Sequence, residues 1–331
     1  MLDVADGSYA ADTLVLGAAD RFDFGSEEFS RLVRRSRASA FQQPEWLSAF
    51  YRHMAPACGA DPLVITGRNA EGELGLVLPL LRRGPRAIEY AFLGVTDYAC
   101  PIVDGDLPVD DRVTTRLRRF IAAHGPLTIG PVHRDHVEGW RSLLRVEPRQ
   151  LDFGAHSVRY GWPYPQWRRL NLGSRRAAGL DRKARRLNEK AGLKLELLGA
   201  ADMRGALLAA AEFRAGRFAD DPLRTPHGLE FYTEVATNGA RSGLARTWRL
   251  TSGGAMVALV FGLAEGAAFR YILLACDYAS HARHSPGRLA LDHAMAAWAA
   301  EGGTAFDFTI GDEPFKADFG CERTPMYEFK L

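Results

Sequence analysis

Residues 269–291, FRYILLACDYASHARHSPGRLAL, decide the fold class of this chain. They predict an apolar strand at Phe269–Cys276, a loop, and a helix that begins at Ser285-Pro286-Gly287. Ser285 suits the N-cap, and Pro286 suits the first helical position because no backbone hydrogen bond is lost there. The helix is apolar at the spacing of one face, at Leu291, Ala294, Met295 and Trp298.

The start of this helix is a candidate anion site. A helix start exposes unpaired backbone N–H groups and a partial positive charge, which together suit a pyrophosphate. Gly287 leaves the N–H groups unobstructed, and basic side chains strengthen the positive field: His281, Arg283, His284 and Arg288. An ordinary capped helix after a strand accounts for the same residues, so this alternative stays open.

The next predicted strand, Thr304–Ile310, carries a candidate catalytic carboxylate. Phe306, Phe308 and Ile310 share one face, so Asp307 lies on the other. A carboxylate inside an apolar strand costs free energy unless it is paired or used. We therefore predict either that Asp307 takes a proton from an attacking amine, or that it hydrogen-bonds the following turn.

Lys316 is the second candidate catalytic residue. It lies between the aromatic anchors Phe315 and Phe319. Its ammonium group suits the stabilisation of negative charge that develops on a carbonyl oxygen, or the binding of a phosphate. The alternative is a surface lysine whose aliphatic stem covers Phe315.

Charge is balanced over the chain but not locally. The 42 Lys and Arg residues against 40 Asp and Glu residues give a net charge of +2. Ten basic residues against two acidic ones give Arg168–Lys194 a charge of +8, which leaves −6 elsewhere. This segment predicts attraction of an acidic partner: a nucleotide-bearing donor, an acidic carrier protein, a tRNA or a phosphorylated acceptor. A solvated amphipathic helix is the alternative, and nucleic acid is disfavoured because no aromatic residues are interleaved for stacking.

Composition argues against several classes of protein. The four cysteines lie at least 42 residues apart and the nine histidines have no ligand spacing, so we expect neither disulfides nor a metal site. No run of 18–20 uncharged apolar residues predicts a membrane span. The first six residues have no signal-peptide pattern, so we expect a cytoplasmic protein without a permanently bound cofactor.

The order of elements repeats along the chain. In each half of the sequence, a group of predicted strands is followed by a helix and then by another strand. The Pro and aromatic residues of Tyr160–Pro165 separate the two halves. We predict a helix at Ser26–Arg37, a hairpin around Asn69–Gly72 and a basic helix at Leu180–Ala191. A first strand is predicted at residues 12–16. The pattern predicts two α/β domains, at residues 1–160 and 161–331.

Three groups of residues resemble the CelD-like family of GNAT-fold acyltransferases, whose relatives are the Fem-type aminoacyltransferases. The first group is Phe41–Leu47, Leu78-Pro79-Leu80 and Thr96-Asp97-Tyr98. The second is Tyr271, Ser285-Pro286-Gly287 and Leu289, and the third is Asp307–Lys316. Phe315-Lys316-x-x-Phe319-Gly320 is similar to the Fem-type lysine motif. The groups follow in order from about Phe41 to Phe319.

The resemblance implies an α/β (α+β) fold of two tandem GNAT-like domains, each a mixed, mostly antiparallel sheet flanked by helices. The second domain would bind an acyl donor, commonly acyl-CoA, where its central strands separate. The donor-binding residues would be Tyr271, His284, Ser285, Gly287, Arg288 and Leu289. The GNAT phosphate loop reads Q/R-x-x-G-x-G/A, and His284 and Leu289 depart from it. An acyl carrier protein or an aminoacyl-tRNA therefore stays open as the donor.

The acceptor site is less marked. In this fold Arg214, Arg217 and His227 would flank the donor pocket and hold an acceptor carboxylate or phosphate. Capping or buried polar roles are the alternatives. Asp97 and Tyr98 are expected to face the cleft between the domains.

The sequence thus predicts an N-acyltransferase that moves an acyl group from a thioester to an amine of a small molecule, sugar or peptide. The amine attacks directly, Lys316 and backbone N–H groups stabilise the oxyanion, and Asp307 or a water chain accepts the proton. Two alternatives stay open. One is a Fem-type aminoacyl-tRNA-dependent transferase, and the other is a non-catalytic subunit in polysaccharide or envelope biosynthesis.

Overall fold

The computed structural model of the protein describes residues 14–84, 87–161 and 163–331, which form two compact units. The first unit contains the described residues up to Asp152 together with Pro325–Leu331, and the second contains Phe153–Thr324. The strand predicted at residues 12–16 lies partly outside the described residues, where the described strand is Val15–Ala19. Trp162 of the predicted seam also lies outside them.

The first unit contains strands and helices. Its strands are β1 (Val15–Ala19), β2 (Asp61–Arg68), β3 (Leu74–Arg83), β4 (Ala87–Tyr90), β5 (Ile102–Val103) and β6 (Leu127–His133). Its helices are α1 (Glu27–Arg35), α2 (Pro44–Ala49), α3 (Ala55–Ala57), α4 (Asp111–Ala122) and α5 (Arg134–Leu144).

The second unit also contains strands and helices. Its strands are β7 (Arg149–Arg159), which belongs to this unit from Phe153 onwards, β8 (Leu193–Leu197), β9 (Ala245–Ser252), β10 (Ala255–Glu265), β11 (Ala268–Cys276) and β12 (Ala305–Ile310). Its helices are α6 (Tyr164–Asn171), α7 (Ser174–Ala191), α8 (Met203–Phe213), α9 (Pro226–Ser242), α10 (Tyr278–His281), α11 (Pro286–Ala300) and α12 (Pro314–Asp318). The chain ends in β13 (Glu322–Lys330), which belongs to the first unit from Pro325 onwards.

The strands of each unit pair mostly in antiparallel fashion, with one parallel pair described in each unit. The strand order is β1-β2-β3-β4-β6-β13 in the first unit, with β5 paired to β3, and β7-β12-β11-β10-β9-β8 in the second. The parallel pairs are β4 with β6 and β11 with β12. The predicted fold class, mixed α/β with mostly antiparallel sheets and flanking helices, is confirmed.

Local signals in the sequence place several elements correctly. Ser26 is the N-cap of α1, and its Oγ accepts a hydrogen bond from the Phe29 N–H at 3.2 Å. The predicted turn at Asn69–Gly72 joins β2 to β3, and Gly72 has φ +84° there. A left-handed residue of this kind favours glycine because a Cβ atom would be strained.

Other elements were not predicted from the sequence. The basic helix α7 begins at Ser174, six residues before the predicted start at Leu180. The strands β7 and β13 and the helix α6 also escaped prediction. The strand β13 pairs with β6, from Met326 opposite His133 to Lys330 opposite Thr128, so its partner is far away in sequence. Pairing at such a distance leaves no local signature.

The core of the second unit fixes the two strands and the helix that surround the candidate site. Phe269 of β11 and Phe306 of β12 are fully buried, with ring centroids 5.0 Å apart. Trp298 of α11 packs on Phe269 and donates from Nε1 to the Ala305 carbonyl at 3.0 Å. This aromatic contact ties α11 to the beginning of both strands.

Membrane spanning was tested within the described part of the chain. No helix in residues 14–84, 87–161 and 163–331 is long and apolar enough to cross a bilayer.

Gly262 is a sensitive position in this core. A Cβ atom there would lie 2.2 Å from the Arg270 carbonyl oxygen and 2.4 Å from the Phe269 ring. We expect Gly262→Ala to lower the free energy of unfolding by about 2–4 kcal/mol, because backbone and ring must both move. Urea unfolding would measure this loss.

Gly205 in α8 provides the matched control, since nothing lies within 4 Å of its Cβ position. Gly205→Ala should raise stability by about 0.5–1 kcal/mol through helix propensity. Equal effects of the two substitutions would contradict the close packing at Gly262.

Candidate functional site

The parallel ladder between β11 and β12 is short. It pairs Ala268 with Ala305, Phe269 with Phe306, and Arg270 with Asp307, and then stops. Directly after these pairs β11 has a bulge. Its pairing with β10 passes from Tyr271 to Leu273, so Ile272 is the extra residue. A bulge bends a strand and increases its twist. The remainder of β11, up to Cys276, therefore runs on without β12 beside it.

The strand β12 is also irregular at this point, and Asp307 stabilises the irregular segment. The register of β12 against β7 shifts between Asp307 and Ile310, and Thr309 has the left-handed φ of +56°. The Oδ1 atom of Asp307 accepts the Thr309 N–H at 2.7 Å, and its Oδ2 atom is ion-paired with Arg270. The Thr309 hydroxyl donates to the Tyr271 carbonyl at 3.2 Å. Asp307 is only 4% exposed, so its contacts are those of a residue that shapes the strand.

Lys316 holds the backbone that follows β12. Its Nζ atom donates to the carbonyl oxygens of Thr309 at 3.2 Å, Ile310 at 2.7 Å and Gly311 at 2.8 Å. It also lies 2.9 Å from a carboxylate oxygen of Glu313. Lys316 is 1% exposed, and these partners account for all the N–H donors of an ammonium group. The arrangement supports a structural role at the end of β12.

The turn before α11 has an unusual backbone. Ser285 occupies the N-cap position with φ +52° and ψ 57°, and its side chain makes no capping hydrogen bond. Its Oγ atom is instead 2.6 Å from the Nζ atom of Lys183, which reaches it from α7. Pro286 has no N–H to donate. The N–H groups of Gly287 and Arg288 come too early in the helix for an intrahelical partner, so they face outward from the turn.

A cavity of about 250 Å³ opens at this turn. Among the residues that line it are Leu274, Tyr278, Ser285, Gly287, Arg288 and Phe315. A Cβ atom at Gly287 would be crowded, since it would lie 3.0 Å from the Tyr278 hydroxyl oxygen and 3.1 Å from the Leu274 side chain. The cavity lies between the end of β11 and the start of α11, and it is bordered by Gly287 and Arg288, whose N–H groups have no partner within the helix.

The basic helix α7 adjoins the same turn. A second cavity of about 180 Å³ is lined by Arg176, Gly179 and Lys183 of α7, together with Arg288 of α11 and Asp318 of α12. Arg176 and Arg288 both form ion pairs with Asp318. The sequence segment with a charge of +8 therefore contributes cations to the neighbourhood of the candidate anion site.

His284 reports the positive field at the turn. It is 6% exposed, and its Nε2 atom accepts a hydrogen bond from Arg283 at 3.0 Å. Burial lowers the pKa of His284, and the charges of Arg283, His281, Lys190 and Arg186 lower it further. Because these cations disfavour the imidazolium form, the same field favours a bound anion.

Of the other two predicted donor residues, one packs against the core and one lies within it. Tyr271 packs its ring against Phe306 and Phe308, and burial raises its pKa. Leu289 is fully buried. Of the six predicted donor-binding residues, the structure brings Ser285, Gly287 and Arg288 together at the cavity.

Arg214 lies at the free edge of β11. The Asp277 N–H donates to the Val257 carbonyl at 2.9 Å, and hydrogen-bonded pairs alternate along an antiparallel ladder. Leu274, paired with Val260, therefore directs its N–H and C=O away from β10. Arg214 donates to that Leu274 carbonyl at 2.8 Å. The guanidinium group of Arg214 therefore contacts the part of the β11 edge that does not pair with β12.

A buried carboxylate orients Arg214. Asp221 is 5% exposed and accepts from Nε of Arg214 at 2.6 Å and from its second terminal nitrogen at 3.1 Å. The Phe218 ring lies 4.3 Å from the guanidinium carbon. These contacts use three of the five N–H donors of an arginine, which leaves two for a ligand.

The remaining predicted acceptor residues are dispersed. Arg217 lies over the ring of Tyr278, 4.0 Å from its centroid, so it borders the donor cavity. His227 lies in the first turn of α9 and is partly exposed. Asp97 and Tyr98 belong to the first unit, where Tyr98 is fully buried and its carbonyl accepts from Gln42 at 2.9 Å.

Sequence reasoning missed Lys183, Tyr278 and Asp318. Lys183 belonged to a segment recognised only for its charge, and its position on one face of α7 was the available signal. Tyr278 and Asp318 had no signal, because only the packing of α10 and α12 brings them to the turn. A covalent route through Cys276 is disfavoured, since burial raises the pKa of its thiol to about 12.

Comparison with known proteins shows a family similarity over part of the chain. Residues 174–317 match the family model described as an acetyltransferase (GNAT) domain. This match lies within the second unit and includes the α11 turn, the shortened β11–β12 ladder and Lys316. This part of the second unit is therefore similar to a GNAT domain. No curated protein matches the chain. The narrower resemblance to the CelD-like group stays a prediction.

Several solved structures are similar in fold over nearly the whole chain. A conserved protein of unknown function from Bacteroides thetaiotaomicron VPI-5482 has 11% identity and a TM-score of 0.63, with 96% of this chain and 100% of that chain covered. FemX has 12% identity and a TM-score of 0.62, with 95% and 97% covered. The C-terminal domain of a putative lysylphosphatidylglycerol synthetase from Agrobacterium fabrum has 14% identity and a TM-score of 0.59, with 94% and 92% covered. At these identities the likeness concerns the fold alone.

The contacts of Lys316 predict a large effect on stability. We expect Lys316→Met to lower the free energy of unfolding by about 2–4 kcal/mol, because three buried carbonyl groups lose their donor. The control is Lys330→Met, since Lys330 is exposed in a surface ion pair with Glu328 and should change stability by less than about 0.5 kcal/mol. Lost turnover without lost stability would instead place the ammonium group of Lys316 on the substrate.

The field at the turn makes His284 a probe of anion binding. A bound anion should raise the pKa of His284 because negative charge favours the imidazolium form. NMR titration of histidine-labelled protein with and without coenzyme A would measure the change, with His124 of the first unit as an internal control. An unchanged pKa of His284 at saturating coenzyme A would argue against an anion at the turn.

Proposed function

We propose that the second unit is an N-acyltransferase that binds an acyl thioester through an anionic group at the α11 turn and transfers the acyl group to an amine. One observation carries the proposal: the cavity at the turn is lined by Leu274, which lies in the part of β11 that β12 has left. A donor whose phosphate contacts Gly287 and Arg288 would extend its thioester along that edge. An extended donor arm can accept a hydrogen bond from the Leu274 N–H, which points away from β10, in the way that an added strand would.

The reaction in this proposal is direct. The amine nitrogen attacks the carbonyl carbon of the thioester, a C–N bond forms, and the C–S bond breaks. The proton lost by nitrogen passes through water to the leaving sulfur, so the products are an amide and a thiol. No protein nucleophile is needed, which agrees with the raised pKa of Cys276.

Arg214 stabilises the developing oxyanion in this proposal. Its two remaining N–H donors lie at the edge of β11, and Asp221 and Leu274 fix the plane of its guanidinium group. Donors fixed in advance stabilise charge that develops in the transition state. Asp307 and Lys316 hold the bulged end of β12, so they position this edge. The role of Asp307 as a base remains a prediction, and the proposal gives the proton to water.

A second candidate is aminoacyl transfer from tRNA of the Fem type. The exposed cations of α7 favour it, because an RNA phosphate backbone would be attracted to them. It predicts RNA binding that weakens steeply with salt. The acceptor in both cases is an amine.

The proposal is tested by incubating the protein with a series of acyl-CoA donors and a pool of amines. Release of thiol and formation of an amide, detected by mass spectrometry, are the expected results. No amide from any donor, including carrier-bound thioesters, would overturn the proposal.

Arg214→Lys tests the role of the guanidinium group. Lysine keeps a cation near Asp221 but loses the planar fork. We expect kcat to fall about 10–100-fold with a smaller change in the KM for the donor. The control is Arg204→Lys on the same helix, where Arg204 forms an exposed ion pair with Glu230. An equal effect of the two variants, or a loss confined to KM, would argue against the role of Arg214 in the transition state.

A further inference from the structure

One face of α7 carries a row of cations, none of which lines the two cavities at the α11 turn. Arg175, Arg182, Arg186 and Lys190 follow at intervals of seven, four and four residues, which places them on one side of a helix. All four are exposed. The row is about 22 Å long, from the rise of an α-helix.

This basic face of α7 is continuous with the α11 turn. Lys183, on the adjoining side of the same helix, reaches Ser285 at 2.6 Å. Arg186 and Lys190 lie near enough to contribute to the lowered pKa of His284. Gly179 lies between Arg175 and Lys183 and lines the cavity of about 180 Å³ next to the turn. The row of cations therefore runs past the α11 turn, where the proposed donor would bind.

The anion site itself is small. Pro286 has no N–H and the Ser285 side chain is engaged by Lys183, so the turn offers the N–H groups of Gly287 and Arg288. Two adjacent N–H groups match the oxygens of one phosphate group. The cations of the row are too numerous and too widely spaced to serve that phosphate as well.

The geometry points to an acidic, helical acyl carrier protein as the physiological donor, docked through an acidic helix on the basic face of α7. Its thioester arm would enter at the α11 turn through the phosphodiester that links the arm to the carrier. This inference rests on the proposed function and names its donor. Acidic side chains at helical spacing can follow the row over the same length, which gives complementary charge along the contact.

The composition of α7 favours a protein partner over RNA. Residues 174–191 contain no aromatic side chain on which a base can stack. The helix also exposes two carboxylates, of which Asp181 is paired with Arg168 at 2.9 Å. Glu189 would repel a phosphate, whereas a protein partner can pair it with a cation of its own.

The test compares two variants with reversed charge. Arg175→Glu with Arg182→Glu reverses the basic face, and neither residue belongs to the proposed donor site. The control is Arg116→Glu with Arg119→Glu, which reverses two exposed arginines on α4 in the first unit. Thermal unfolding would first establish that both variants fold. The probes are an acidic acyl carrier protein loaded with an octanoyl thioester, octanoyl-CoA, and a structured RNA.

We expect the α7 variant to bind the octanoyl carrier about tenfold or more weakly than the unmodified protein, and kcat/KM with this donor to fall in proportion. With octanoyl-CoA, the kcat/KM of the α7 variant should stay within about twofold of the value for the unmodified protein. Arg175 and Arg182 are exposed and lie outside the proposed donor site, so salt screens their charges from this donor. The α4 variant should match the unmodified protein with both donors. Carrier binding to the unmodified protein should weaken as salt rises.

Three results would overturn the inference. They are carrier binding that does not depend on the α7 charges, an equal loss of activity with octanoyl-CoA, and tighter binding of the RNA than of the carrier with the same dependence on Arg175 and Arg182. Binding is measured independently of turnover. If neither donor is consumed, the proposed function fails, while salt-dependent carrier binding through α7 would still support the docking surface.

Discussion

The early end of the β11–β12 ladder is the constraint on which the candidate site depends. After three residue pairs β11 bulges, β12 turns at Thr309, and an edge of backbone donors and acceptors becomes available to a ligand. Backbone groups in a protein interior must be paired. The chain satisfies the β12 side with charged groups of its own, Asp307 and Lys316, and leaves the β11 side to Arg214 and the cavity.

Buried charged side chains stabilise the early end of the β11–β12 ladder. Thr309 and Ser285 both have left-handed backbone conformations, which cost about 1–3 kcal/mol each for residues other than glycine. Asp307 and Lys316 are almost completely buried, and such charges are tolerated only when their hydrogen bonds are satisfied. Both bond to the Thr309 segment, while Lys183 contacts Ser285. The result is an edge that is in place before a ligand arrives.

The distribution of charge around this site attracts anions. The surplus of positive charge in the second unit is concentrated on α7, which touches the α11 turn through Lys183 and lowers the pKa of His284 through Arg186 and Lys190. An anionic donor would therefore meet positive potential along the helix and at the turn. Attraction of this kind raises the rate of encounter more than the affinity of the final contact.

The sequence by itself determined the elements with local signals: the Ser26 cap, the Asn69–Gly72 hairpin, the helix start at Pro286 and the mixed α/β class. It also identified Ser285, Gly287 and Arg288 as neighbours, since they are adjacent in the chain. Only the tertiary structure decided that Asp307 pairs with Arg270, that Lys316 caps three carbonyls, and that β13 pairs with β6. These contacts join residues whose separation in sequence follows no helical or strand period, so packing alone brings them together.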